Sequence, residues 1–443
     1  MKRTIYNSLR NWKLKKDRKP LVLNGARQVG KTYILKEFGE NEFINYHHFD
    51  FDKDARRLAP LFDAGLSPGD LLANLSIFAG KKITPDDLLI FDEIQSCPRA
   101  LTSLKYFCDE MPGINICAAG SLLGVSLSGE AFPVGKVDML NLYPMNFEEF
   151  LMAGDHEMLL DSFRNALVVG AVPPAAHDKL CDIMKRYYVV GGLPQAVKAY
   201  YDNADPACGM AQARELQKNL IDGYTRDFSK HAGRVNALHI QRVFENVPAQ
   251  LSGHVDDSTT RYRFKDVIPG KKGYADLEGP IDWLVKAGLI IKTHVCERAA
   301  IPLQSFCKPN MFRLYVFDIG LLGAMLELSI DTIILDNYGF TRGFFIENMA
   351  ACELLASGVR ILYSWSERNS EIEFLLASGS EVIPVEVKAG HRTKAKSLGQ
   401  FFLKYRPERA IKLSLNTLQP GSDKIERIPL YLAGRLYGYL GIA

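Results

Sequence analysis

Eight residues near the start of the chain, Gly25-Ala26-Arg27-Gln28-Val29-Gly30-Lys31-Thr32, have the types and spacing that hold a chain of phosphates. Glycines let successive backbone N–H groups turn inward, where a Cβ would crowd the anion. Lys31 brings a point charge to the β- and γ-phosphates, and Thr32 brings a hydroxyl to Mg²⁺. The order is that of a P-loop, G-x-x-x-x-G-K-[ST], with no position out of place. All eight residues are therefore candidate cofactor-binding residues, for ATP with Mg²⁺.

Two acids, Asp92 and Glu93, end the apolar run Leu88-Leu89-Ile90-Phe91. A buried strand finishing this way delivers Asp92 to the Mg²⁺ beside Thr32 and leaves Glu93 to orient and polarise an attacking water. Ser121 closes a further apolar run, Ile114 to Ala119 then Gly120. At that strand tip its hydroxyl senses the γ-phosphate or the water, or it is an ordinary loop serine. Glu93, Lys31 and Ser121 are the catalytic candidates. A second constellation lies far downstream: Glu373, then Glu386 and Lys388, with Glu347 ahead of them. Strand periodicity puts Glu386 and Lys388 on one face. With Glu373 they have the chemistry to hold a divalent metal and stabilise a pentavalent phosphate, Glu347 adding or orienting a ligand. The same spacing also describes an antiparallel strand with a solvated polar face.

The elements around these residues follow from hydrophobic period and turn residues. Pro20–Asn24 reads as a short buried strand and Tyr33–Phe38 as a helix, the strand–loop–helix order a phosphate loop needs. Phe43–Phe51, Asp87–Glu93, Ile114–Ala119 and Val137–Tyr143 read as further strands of a parallel sheet with its ligand at their carboxyl ends. His47 and His48 are adjacent on a strand, point to opposite faces and make a poor metal pair. From Asn146 to about Gly233 the pattern is helical, and Arg186, Arg214 and Arg226 there are either phosphate sensors or surface ion-pair residues. Residues 234–325 read as a helix, a basic turn (Arg261, Arg263, Lys265, Lys271, Lys272), a second helix and a two-strand hairpin. That is winged-helix order, which serves DNA contact or interdomain packing. The basic run Lys13–Lys19 reads as a solvated helix end or a nucleic-acid contact.

Composition sets outer bounds. With 443 residues there is room for two to four domains, and a net charge of +3 favours no class of partner. Eight cysteines are scattered without a C-x-x-C pair, which excludes a zinc ribbon or disulfide framework and suits a reducing cytoplasm, the expected location. No run approaches the ~18 apolar residues of a spanning helix, and no apolar signal-peptide core follows Met1-Lys2-Arg3-Thr4.

Taken together, the motifs resemble a bacterial and archaeal family of AAA-type P-loop ATPases with a C-terminal domain of unknown function. The likeness rests on Gly25–Thr32, Phe91-Asp92-Glu93-Ile94-Gln95, Ala119-Gly120-Ser121 and Tyr143–Phe150. Later it includes Gly191-Gly192-Leu193-Pro194, Arg226-Asp227, Glu347-Asn348 and Pro384–Lys388. It implies an α/β fold class: an AAA-like P-loop NTPase core (1–145), a helical lid (146–233), a winged-helix-like section (234–330) and an α/β domain similar to PD-(D/E)xK nucleases (331–443). Two positions depart from the family pattern. Lys136 follows Gly135 where relatives carry arginine, whose bidentate grip a lysine does not reproduce. Glu373 stands where relatives carry the shorter aspartate. The expected function is an Mg-ATP-binding ATPase acting on a nucleic acid or protein. The alternatives are a metal-dependent nuclease gated by the ATPase core and a nucleotide-switched interaction protein with little turnover. Candidate partners are ATP, DNA, a protein and further copies in a homo-oligomer, with no membrane.

Overall fold

The structure is a computed structural model. It describes residues 1–121, 132–232, 234–252, 261–367, 370–389, 396–419 and 424–442, the side chains of 230–232, 234, 235, 252 and 340 excepted. The chain forms two compact units. One comprises Lys2–Tyr143 with Lys286–Gly288; the other comprises Pro144–Val285 and Leu289–Ala443 with Met1.

The first unit is built on five strands: β1 (Leu21–Asn24), β2 (Tyr46–Asp50), β3 (Leu88–Asp92), β4 (Asn115–Gly120) and β5 (Asp138–Asn141). Their order is β2-β3-β4-β1-β5 and every pairing is parallel. Parallel sheets are covered on both faces, so their central strands read as unbroken apolar runs. β3 and β4 do so, with every residue buried. One face packs on an aromatic cluster in which Phe49, Phe51, Phe62 and Phe91 meet edge to face. A sheet of this order sets β4 between β1 and β3, so the tips of all three open at one place.

The basic run Lys13–Lys19 spans the end of the first helix, Ile5–Leu14, and Lys15, Lys16 and Asp17 in it are exposed. Lys13 is ion-paired with Glu42, Lys15 with Asp138, Arg18 bonds Asn115, and Lys19 bonds the Gly135 carbonyl. These contacts tie four of its basic side chains to their own unit, while Lys15 and Lys16 remain exposed.

The second unit begins with helices Phe147–Ala153, Glu157–Val169, Pro174–Val190, Pro194–Asp202 and Pro206–Ala232. The first is held by a reciprocal cap, Asn146 with Glu149. After helices Arg234–Ser252 and Tyr274–Lys286 comes a seven-stranded sheet: β6 (Ile290–Cys296), β7 (Cys307–Val316), β8 (Leu362–Glu367), β9 (Ser370–Ser378), β10 (Glu381–Val387), β11 (Ala410–Ser414) and β12 (Ile425–Pro429). The order is β12-β11-β10-β9-β8-β6-β7.

This arrangement differs from the expected segment boundaries at 233 and 330. The hairpin β6–β7, read as a wing, forms one edge of the same sheet as β8–β12, joined by the parallel pairing of β6 with β8. The helices before it share that unit's interior. The Phe147 N–H and the Tyr187 hydroxyl both donate to Glu353, and the Gly192 N–H donates to Asp318. Pro280 lies within the helix Tyr274–Lys286, whose apolar face Leu277, Ile281 and Leu284 is fully buried. Among the described residues no helix is long and apolar enough to cross a membrane.

Candidate functional site

The loop after β1 turns through left-handed backbone at Gln28 (φ 67°) and Gly30 (φ 95°) and then starts the helix Lys31–Glu42. No side chain caps that helix, so its first-turn N–H groups and the positive end of its dipole remain available to an anion. Gly25 is required by packing: a Cβ there would lie 2.3 Å from the Leu142 carbonyl oxygen. Arg3 braces the loop from outside its sequence, donating to the carbonyls of Val29 (3.0 Å) and Tyr143 (2.7 Å) while itself buried. A positively charged N-terminus gave no hint of that brace. Gly288 (φ +73°), in the short stretch that groups with this unit, lies close enough that a Cβ would be 3.3 Å from the Ala26 nitrogen.

Lys31 is 6 % exposed and donates to the Gly25 and Ala26 carbonyls at 3.0 and 2.8 Å. Burial pulls its pKa down to about 8, against the opposing pull of Glu93 and Asp92. Asp92 ends β3 and is buried; one carboxylate oxygen faces the His48 ring nitrogen at 3.0 Å and the other accepts from the Glu93 N–H at 3.1 Å. Burial pushes its pKa up, but the hydrogen bonds from His48 and Thr32, the His48 charge and the Glu93 amide outweigh that and hold it below the ordinary aspartate value. Thr32 thus stands beside the Asp92 carboxylate, where a hard cation would take both oxygens. His47 turns the other way, to Asp87 at 3.4 Å.

Glu93 sits in left-handed backbone (φ 50°), which swings its side chain off the strand line. Ser121 at the β4 tip donates to its carboxylate at 3.3 Å, and Gln95 donates to the same oxygen. Arg27 of the loop reaches the Ser121 hydroxyl at 3.3 Å. The structure thus brings Lys31, Thr32, Asp92, Glu93 and Ser121 to the carboxyl ends of three adjacent strands, and adds Arg27, His48 and Gln95. Polar residues two or three places from a strand end were the available signal for the last two.

Other candidates lie elsewhere. Lys136 is ion-paired with Asp109. In the second unit Arg186 reaches the Tyr200 hydroxyl at 3.5 Å and Arg226 is exposed. Arg214 is buried without an ion pair from the surface; it donates to the Gly320 carbonyl at 2.9 Å, and burial lowers its pKa to about 10.

The downstream carboxylates do converge. Lys388 lies 3.0 Å from Glu386 and 3.8 Å from Glu373, whose second oxygen accepts from the Val387 N–H. Glu347 faces them from the helix Arg342–Ala356, with its pKa pushed up to about 8 by burial and then by Glu373. Period and spacing did not reveal the cations among them. Arg313 on β7, 4 % exposed, bonds Glu347 at 3.4 Å and Glu371 at 2.6 Å, and Tyr315 also donates to Glu347. Lys412, buried on β11, pairs in register with Glu386. Among the described residues no three His, Cys, Asp or Glu side chains are grouped to hold a metal. Of the acids expected to hold a metal, Glu373 and Glu386 face Lys388, while Arg313 pairs with Glu347 and Glu371.

Comparison with known proteins gives a similar division. Residues 17–151 match the AAA domain family, residues 181–332 the domain of unknown function DUF8612, and residues 342–432 the domain of unknown function DUF4143. No curated protein matches. Among solved structures, the Walker-type ATPase paby2304 of Pyrococcus abyssi is 17 % identical with a TM-score of 0.45, covering 72 % of this chain and 94 % of that one. The Aeropyrum pernix ORC1 protein, solved in complex with DNA, is 10 % identical with a TM-score of 0.29, covering 73 % and 90 %. These scores are too low to carry an argument, so the assignment stands on the family match, the all-parallel sheet and the geometry of the loop. On those grounds, residues 17–151 form an AAA-type, ATPase-like P-loop domain.

Proposed function

We propose that the chain binds Mg-ATP at Gly25–Thr32 and hydrolyses it, using the reaction to drive or switch action on a nucleic acid or protein partner. The observation that carries this reading is the juxtaposition at the sheet's carboxyl edge. A buried ammonium sits in the loop, Thr32 stands beside the Asp92 carboxylate, and Glu93 is held by Ser121 and Gln95. In this reading the loop amides and Lys31 hold the β- and γ-phosphates, and Thr32 and Asp92 hold Mg²⁺, which supplies charge neutralisation of the phosphates. Glu93 orients the attacking water and accepts its proton, while Ser121 fixes the rotamer of Glu93. Arg27 links the loop to Ser121, so the loop and the water-orienting acid are mechanically joined.

The basic turn offers less to DNA than its composition promises. Lys271 is ion-paired with Asp276, and Arg261 lines a cleft with Tyr262, Arg313 and Glu347, leaving Arg263, Lys265 and Lys272 exposed. Three phosphate contacts give weak, strongly salt-dependent binding.

The test pairs two variants. Lys31→Ala removes a ground-state phosphate contact and should abolish ATP binding. Glu93→Gln should retain binding and lose turnover by about 10²-fold or more. Equal loss of affinity in both would remove the roles assigned here.

A further inference from the structure

Cys296 and Cys307 are ten residues apart in the intervening loop sense and carry no motif, yet they close the hairpin β6–β7 as directly opposed partners. Their sulfurs are 3.0 Å apart. Directly opposed residues of an antiparallel pair have Cα atoms ~4.5–5.5 Å apart, within the span a disulfide accepts. The frame is fixed on both sides. The Glu297 N–H donates to the Phe306 carbonyl at 3.0 Å beyond the pair, and Cys296 is held in register with Trp365 of β8. Both thiols also face the Leu303 carbonyl, at 3.6 and 3.4 Å, so a single oxygen keeps the two sulfurs together.

The two cysteines differ in access. Cys296 is fully buried in an apolar cluster with Leu303, Trp365 and Phe401, whereas Cys307 is partly exposed at its edge. The hydrogen bond from Cys296 lowers the Cys307 pKa, and the same bond with burial raises that of Cys296. One thiol is thus placed to react first and the other to resolve. Cys208, although exposed, bonds Asp205, which raises its pKa and disfavours the thiolate.

We propose that Cys296 and Cys307 form a thiol–disulfide modification site that closes to an intramolecular disulfide in the presence of a low-molecular-weight disulfide. The Cys307 thiolate attacks one sulfur of that oxidant, forming a mixed disulfide and expelling one small thiolate, which takes up a proton. Cys296 then loses its proton and attacks the Cys307 sulfur, expelling the second small thiol. The protein loses two electrons and two protons, and the oxidant is reduced to two thiols. The bond closes a ring over Glu297–Phe306 and ties β7 to β6, its neighbour in the sheet.

The test exposes the folded full-length protein to oxidised glutathione, blocks remaining thiols, and maps tryptic peptides without reduction. Cleavage after Lys292 and Arg298 separates residues 293–298 from 299–313, the Lys308–Pro309 bond being resistant. The expected product is these two peptides joined, two hydrogens lighter than their sum and separated by dithiothreitol. In Cys296→Ser the glutathione adduct should persist on Cys307, because no resolving thiol remains. Overturning results are a parent protein in which both thiols remain blockable, one in which the glutathione adduct persists on Cys307, or one in which either cysteine pairs elsewhere. Mapping of the parent alone decides the matter should the variant fail to fold.

Discussion

Raising the pH should weaken nucleotide binding through one residue, Lys31. Its ammonium is 6 % exposed and is held by two loop carbonyls rather than by a carboxylate, which is why its pKa falls to about 8. Binding a polyanion there requires the charged form, so the free protein must supply a proton whenever the amine is neutral. The sign is definite: affinity is full below the free-state pKa and falls as the pH rises through it. At about pH 7 roughly nine-tenths of the molecules carry the proton, and at about pH 9 roughly a tenth, so Mg-ATP affinity should drop about tenfold, or ~1.4 kcal/mol. Mg-bound ATP, whose terminal phosphate the cation keeps ionised, and Asp92, held below the ordinary aspartate value, do not titrate across this range, so neither masks the effect. The assay is equilibrium titration of the parent protein with Mg²⁺ and a non-hydrolysable ATP analogue at three pH values across the range. An affinity that stays level from about pH 7 to 9 would refute the argument that burial in the loop sets the state of Lys31.

The remaining predictions concern the second unit. Arg313→Ala leaves Glu347 and Glu371 without their buried counter-charge and should destabilise this unit by ~3–5 kcal/mol in urea unfolding, whereas an exposed pair such as Lys308–Glu297 should cost under ~1 kcal/mol. Glu353, fully buried, has its pKa pushed from 4.5 to about 8 chiefly by burial. A raised carboxyl pKa contributes stability that is present below the unfolded value and lost as the pH climbs through the folded one. Glu353→Gln, which does not titrate, should therefore gain on the parent between about pH 4.5 and 8 by on the order of 4 kcal/mol. A parent–variant difference independent of pH would contradict that account.

How far the sequence speaks depends on the range of the interaction. The phosphate loop, the acids closing β3 and the serine closing β4 are local patterns, each fixed by neighbours in sequence. Their strands are apolar enough to declare a parallel sheet. What joins them was not legible: Arg3 reaching the loop carbonyls, or Arg27 bonding Ser121 across 94 positions. In the second unit, the pattern gave a two-strand hairpin and one face for Glu386 and Lys388 but could not say that β6 pairs with β8, because period two gives a face and never a partner. The boundary expected at 330 falls between β7 and β8, two strands of one sheet. The same gap hid Arg313 and Tyr315, which belong to one hairpin and meet Glu347 only once the sheet is assembled. Spacing alone also scattered the cysteines, two of which share a strand pair.

The pairing of β6 with β8 has a consequence for how the chain is made. On the ribosome the hairpin β6–β7 emerges first and waits, with one edge unsatisfied, until the helix Arg342–Ala356 and then β8 have followed. An open strand edge is a template for any passing chain, so this interval is when misassembly threatens. The same edge is laid bare by cutting near residue 330, a natural place to divide the protein on sequence grounds. Neither half would then own a complete sheet: one would end in a two-stranded ribbon, which is marginal in water, and the other would start on an exposed β8. Fragments meant to isolate the C-terminal part should begin before Leu289, so that synthesis and purification both deliver the seven strands together.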